Sequence, residues 1–198
     1  MESFNIYMAG VGGQGIGLLS ELLLRAADYA GFAVKAVDTH GLAQRGGIVV
    51  SQLRMGATVH SPLIAQQAAD LVVALERHEA LRALNIALKD GGLLVYYDTV
   101  WQPLDVRLGQ VPEVSTADLE SQCRKRGIHL HRVFNKYLAE ARMQNIAVLA
   151  YMDKHELIPG LQSEHFRRAM QDLMAGKMLE VNLALYEKIS RAAINAHP

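Results

Sequence analysis

The stretch MAGVGGQGIG, residues 8–17, sets five glycines between two apolar segments of different periodicity. Before it, FNIYMAG (4–10) is short, β-prone and closes on a glycine, the pattern of a strand. After it, QGIGLLSELLLRAADYAG (14–31) repeats Ile16, Leu19, Leu22, Leu23, Ala26, Ala27 and Ala30 at helical spacing, and Gly31 supplies a C-terminal stop. A strand that turns into a helix through bare backbone opens an α/β fold. It also invites a close backbone approach at the turn.

The later patterns extend this opening. FAVKAVD (32–38), IVVSQLRMG (48–56), ADLVVALE (69–76) and LLVYYD (93–98) read as strands, and RHEALRALNIALKDGG (77–92) as a helix closed by its two glycines. Nearly continuous apolar strands alternating with helices predict an α/β fold with a Rossmann-like, mostly parallel sheet flanked by helices. VSTADLESQCRKRG (114–127) predicts a helix with a Ser115/Asp118 capping box, and IHLHRVF (128–134) a strand. From about residue 135 the patterns are helical in three segments, with Pro159 and Gly160 breaking the first from the second. We expect one domain over residues 1–198, with a helical C-terminal region that packs on the sheet or forms a subunit contact.

Composition narrows the function classes. Half the residues are hydrophobic (51%), enough for a sizeable core. The formal net charge is zero, without the basic surplus of a nucleic-acid binder. The one cysteine, Cys123, cannot form a disulfide, a multi-thiolate zinc site or an iron–sulfur cluster within one chain, which points to a reducing compartment. No run approaches the roughly 18 apolar residues of a membrane span, and MESFNIYMAG lacks the basic start of a signal peptide. A soluble, cytoplasmic protein without membrane or nucleic-acid partners is expected.

Gly10, Gly12 and Gly15 spell G-x-G-x-x-G between strand and helix, and Asp38 stands about 20 residues on, where a dinucleotide-binding fold places its ribose acid. On these residues alone a nicotinamide or flavin dinucleotide is one reading. A tight turn in a parallel α/β sheet is the other.

The following loop is more specific. VDTHGLAQRGGIVVSQLR (37–54), taken with GVGGQGI (10–16) at this separation, resembles the gamma domain of the 2-oxoacid:ferredoxin oxidoreductases, most closely their indolepyruvate-acting branch. The shared positions are Gly10, Gly12, Gly13, Gln14 and Gly15, then His40, Gly41, Gln44, Arg45, Gly46 and Gly47, then Ser51 and Arg54. SPLI (61–64) and ADLVVALERHEALR (69–82) continue it. The resemblance covers residues 4–98 and loosens beyond, where Asn145 and VNLALY (181–186) are shared.

The resemblance implies oxidative decarboxylation of a 2-oxoacid, acyl transfer to coenzyme A and delivery of two electrons to ferredoxin. It implies that thiamine diphosphate and [4Fe-4S] clusters sit on a large partner subunit, so that this chain is a component inactive alone. It favours an aryl pyruvate such as indolepyruvate. Within that frame we expect an anion pocket in which N–H groups of Gly12, Gly13, Gln14 and Gly15 face a phosphate of coenzyme A or a partner carboxylate. Arg45 would add a planar cationic fork and His40 and Gln44 hydrogen bonds, with Gly46 in the same binding set. The alternatives are that Arg45 pairs with Asp38, that His40 is a packed histidine and that Gly46 and Gly47 only start a strand. No catalytic residue is assigned.

Other features carry less. His129 and His131 share one strand face but lack an identifiable third ligand, so no metal is expected. Cys123 stands beside Arg124, Lys125 and Arg126, cations that can lower a thiol pKa, although an incidental cysteine on a surface helix is the simpler reading. Besides the oxidoreductase subunit, two other classes stay open: an NAD(P)-binding Rossmann oxidoreductase, and a non-catalytic scaffold with the gamma fold. A symmetric homodimer is expected in isolation.

Overall fold

The computed structural model describes residues 1–40, 47–101, 109, 112–136, 138 and 140–192, with backbone alone at 40 and 141. The sequence-predicted loop residues Gly41, Gln44, Arg45 and Gly46 lie outside the described residues. Among the described residues six strands form one sheet: β1 (Ser3–Val11), β2 (Ala33–His40), β3 (Ile48–Gly56), β4 (Ala69–Ala74), β5 (Leu88–Tyr97) and β6 (His129–Val133). Their order is β2-β3-β1-β4-β5-β6. β1, β4, β5 and β6 are parallel, while β3 runs against both its neighbours, β1 and β2.

The alternation of side chains across the pleat divides the core. On one face Ile6, Met8 and Leu53 pack with Leu19, Leu22 and Leu23 of α1 (Ile16–Tyr29), under α4 (Gln144–Lys154), α5 (Ser163–Leu173) and α6 (Gly176–Ser190). On the other, Val72 and Tyr96 pack with Leu84 of α2 (Arg77–Ile86) and Leu119 of α3 (Thr116–Lys125). α3 begins with the expected capping box, Ser115 and Asp118 each bonding the other's backbone N–H. No helix among the described residues is long and apolar enough to cross a membrane.

Three local expectations are corrected. α2 ends at Ile86, not at the glycine pair, because Leu88 already pairs with Ala69 of β4. Gly91 and Gly92 instead lie in a register shift of β5: Leu71 next pairs with Leu93, Gly91 takes a positive φ of 70°, and a Cβ on Gly92 would lie 3.0 Å from the Lys89 carbonyl oxygen. The helix expected from 135 starts only at Gln144, after a 3-10 turn at Ala141–Met143. Cys123 faces the core, and burial pushes its thiol up to about 11 despite Arg126 and Arg124, the reverse of an activated cysteine.

One buried polar side chain joins three elements. Gln14, 1% exposed, accepts from the Val11 N–H at 2.7 Å and donates to the Leu75 carbonyl at 2.8 Å and to Gln144 Oε1 at 3.2 Å. It ties the ends of β1 and β4 to the first turn of α4. At the far end of α4, His131 of β6 lies against Tyr151 and His155, with Nδ1 3.3 Å from the Tyr151 hydroxyl. Burial, then the charges of His155 and His129, hold the His131 imidazole below its ordinary range. Burial and Lys154 do the same to His155.

Two outcomes follow from these contacts. Gln14→Leu strands a buried N–H and a buried carbonyl, so it lowers unfolding free energy by about 2–4 kcal/mol in urea titration. A histidine whose folded-state pKa is depressed leaves stability intact above its unfolded pKa and removes it as pH falls below that value. His131→Gln therefore flattens the fall in stability as pH drops below about 6.5, measured as denaturation midpoint against pH.

Candidate functional site at the glycine turn

β1 and β4 are adjacent and parallel, but their chains leave toward opposite faces, β1 into α1 and β4 into α2. This opens a crevice at their carboxyl ends, where α/β sheets bind ligands. The glycine turn forms one wall. Gly13 has φ +102° and Gly15 φ +85°, a region that side chains rarely adopt. A Cβ on Gly15 would come within 2.5 Å of Asn145 Nδ2, and one on Gly10 within 2.9 Å of Ile16 Cγ1. These two glycines therefore serve the approach of α4 and of α1 to the turn. Asn145 completes the joint by donating to the Gly15 carbonyl at 3.2 Å.

The structure divides the predicted anion-binding set. Gly12 is buried and its N–H donates to the Gly47 carbonyl at 2.8 Å; the Gln14 N–H donates to the Val11 carbonyl at 3.1 Å. With those amides occupied and the Gln14 side chain turned inward, neither residue faces a ligand. That corrects the expectation that four successive amides converge. Gly13 and Gly15 remain at the surface, and their N–H groups have no hydrogen bond among the described residues. Just beyond, the first turn of α1 holds no acidic residue of its own and no side-chain cap, and its positive end already has the Asp38 carboxylate near Gly17 on one side. Of the other predicted site residues, His40 ends β2, and Gln44, Arg45 and Gly46 lie outside the described residues.

Gly13 and Gly15 line a cleft of about 590 Å³ with Leu18 of α1, the 3-10 turn and the N-terminal half of α6. Arg142 and Lys177 contribute two exposed cations and Glu140 one anion. Neither Arg142 nor Lys177 has an ion-pair partner among the described residues. Sequence periodicity could not find them, because Arg142 precedes its helix and Lys177 sits in a first turn. Trp101, the single tryptophan, flanks the turn, its ring 3.9 Å from a Cβ placed on Gly13. Beside it Asp98, at the end of β5, is held by Arg77 Nη2 at 2.7 Å and by Arg132 Nε at 2.7 Å, which fixes the neighbouring strand ends.

Asp38 does not complete a dinucleotide site. β3 separates its strand from β1, and its carboxylate lies on the α1 side, near Gly17. The His129–His131 pair gathers no third ligand, and no group of three or more metal-type side chains assembles among the described residues.

Comparison with known proteins agrees with this geometry. Residues 5–192 match the family model for pyruvate ferredoxin/flavodoxin oxidoreductase. Indolepyruvate oxidoreductase subunit IorB of Archaeoglobus fulgidus is 31% identical over 98% of this chain and 97% of its own length, and that of Pyrococcus horikoshii 29% identical over the same shares. Ketoisovalerate oxidoreductase subunit VorA of Methanothermobacter thermautotrophicus is 30% identical over 92% of this chain, but only 35% of its own length. Among solved structures, the gamma subunit of a keto/oxoacid ferredoxin oxidoreductase from Geobacter sulfurreducens superposes with TM-score 0.66 at 19% identity, covering 96% of this chain and 99% of that one. A 2-oxoglutarate:ferredoxin oxidoreductase from Magnetococcus marinus, with 2-oxoglutarate, coenzyme A and succinyl-CoA bound, superposes with TM-score 0.70 at 18% identity, covering all of this chain and 32% of that one. Turn, fold and relatives agree: the chain belongs to the pyruvate ferredoxin/flavodoxin oxidoreductase family, as a gamma-type subunit of a 2-oxoacid:ferredoxin oxidoreductase.

Proposed function

We propose that this subunit serves a cytoplasmic indolepyruvate or other aryl-pyruvate oxidoreductase and offers the glycine cleft to the phosphates of coenzyme A. The observation that supports this is the cleft itself: Gly13 and Gly15, whose N–H groups have no hydrogen bond among the described residues, and Leu18 in the first turn of α1 line the same space as Arg142 and Lys177. Fixed amides and two cations stabilise a polyanion, and coenzyme A brings three phosphates. Glu140 opposes them on one side and biases where the phosphates settle.

The chain's own residues hold and orient the acyl acceptor. Thiamine diphosphate on the large partner subunit supplies the decarboxylation chemistry, and [4Fe-4S] clusters there carry the electrons toward ferredoxin. A single core cysteine supports that division, since a cluster needs several thiolates. Arg45, Gln44, His40 and Gly46 stay in the proposal as further anion-binding residues, with the partner carboxylate as the alternative anion.

The test uses the single tryptophan beside Gly13. Coenzyme A quenches Trp101 emission of the purified chain, while NADH at equal concentration does not bind. Arg142→Ala and Lys177→Ala each weaken coenzyme A about tenfold or more, the scale of one charge-assisted hydrogen bond. Saturable NADH binding, or coenzyme A affinity indifferent to both substitutions, overturns the reading.

A further inference from the structure

The exposed apolar side chains are not evenly spread. Among the described residues eight large ones are exposed, and five of them lie at the carboxyl end of the sheet. Ile48 pairs with Val11 at the end of β1, and Trp101 stands over Gly13. Phe134, 62% exposed, follows β6 with its ring 6.4 Å from that of Tyr97. Met178, 50% exposed, and Val181 line the glycine cleft from α6. Met1 and Ile86 sit at the opposite end, where β1 starts and α2 finishes.

The rim of this apolar end is cationic. Arg132, paired with Asp98, is 57% exposed, Arg142 and Lys177 are exposed without an ion-pair partner among the described residues, and Glu140 is the one acidic residue that lines the cleft; Glu113 is exposed on Arg77. An exposed apolar patch with a polar rim marks a protein contact. Its composition separates two partners. A transient electron carrier meets a small, largely polar contact, whereas a lasting assembly buries aromatic and aliphatic anchors.

We propose that the carboxyl end of the sheet is the docking face for the large thiamine diphosphate subunit, which meets it with an apolar surface rimmed by carboxylates and thereby closes the glycine cleft. This rests on the reading of the chain as a subunit of that enzyme. Two relatives with this fold carry it as 35% and 32% of a longer chain. Among the described residues here that apolar end is open. The cleft lies inside the patch, so the partner's surface forms its missing wall and excludes water from the bound acyl acceptor.

The test uses the full chain and the purified large subunit of the same enzyme. With 5-fluorotryptophan at Trp101 the chain gives one 19F signal, to which an unlabelled partner adds nothing. Adding the partner shifts that signal. Phe134→Glu and Val181→Glu each weaken the complex roughly thirtyfold or more, the range of an interface hot spot, while Ile86→Glu at the opposite end leaves it unchanged. All three variants keep the wild-type denaturation midpoint. A complex that forms with unaltered affinity in both face variants, the Trp101 signal unmoved, overturns the face and spares the subunit reading. A shift caused by ferredoxin alone, or by a second copy that the large subunit does not displace, also overturns the face. No complex at all overturns the subunit reading and the face with it.

Discussion

The turn after β1 depends on a buried amide. Gln14 satisfies the Val11 N–H and the Leu75 carbonyl where β1 and β4 end, then reaches Gln144 at the start of α4. Each of those groups is costly to bury unpaired, so the bonds fix the turn, the strand ends and the C-terminal helices against one another. Asn145, one residue on, grips the Gly15 carbonyl, and Gly15 leaves it room. The C-terminal helices are therefore part of the site: they set where α6 and its Lys177 stand relative to the exposed amides.

From this joint the functional geometry follows. Bracing directs some amides inward, to Gly47 and Val11, and leaves Gly13 and Gly15 outward, beside the positive end of α1. Arg77 and Arg132 converge on Asp98 and hold the ends of β5 and β6; Trp101 stands exposed beside the turn and Phe134 stands exposed beyond β6. The Gln14 amide and the Asp98 carboxylate inside the edge are satisfied, while the apolar side chains outside it are exposed. That distribution belongs to a protein whose remaining surface energy is settled by a partner.

Much of this was legible in the sequence, unevenly. The strand–glycine–helix unit, the capping box at Ser115 and Asp118 and the helical end follow from local patterns, and the paired motifs carry the family. What periodicity could not supply was order in space. The reversed β3 between β1 and β2 removes Asp38 from the place a dinucleotide acid needs, and spacing alone does not reveal strand order. Gly91 and Gly92 look like a helix stop and serve a strand irregularity, because pairing of Leu88 with Ala69 overrides the local signal. Gln14 carries a family motif yet acts through internal bonds. Arg142 and Lys177 come from segments remote in sequence, so only folding brings them to the turn.

The most direct measurement of the central claim is anaerobic reconstitution: indolepyruvate-dependent dye reduction by the large subunit with and without this chain, each in the presence and absence of coenzyme A. A shared enzyme predicts coenzyme A-dependent turnover only when both chains are present. Full coenzyme A-dependent turnover by the large subunit alone would contradict it.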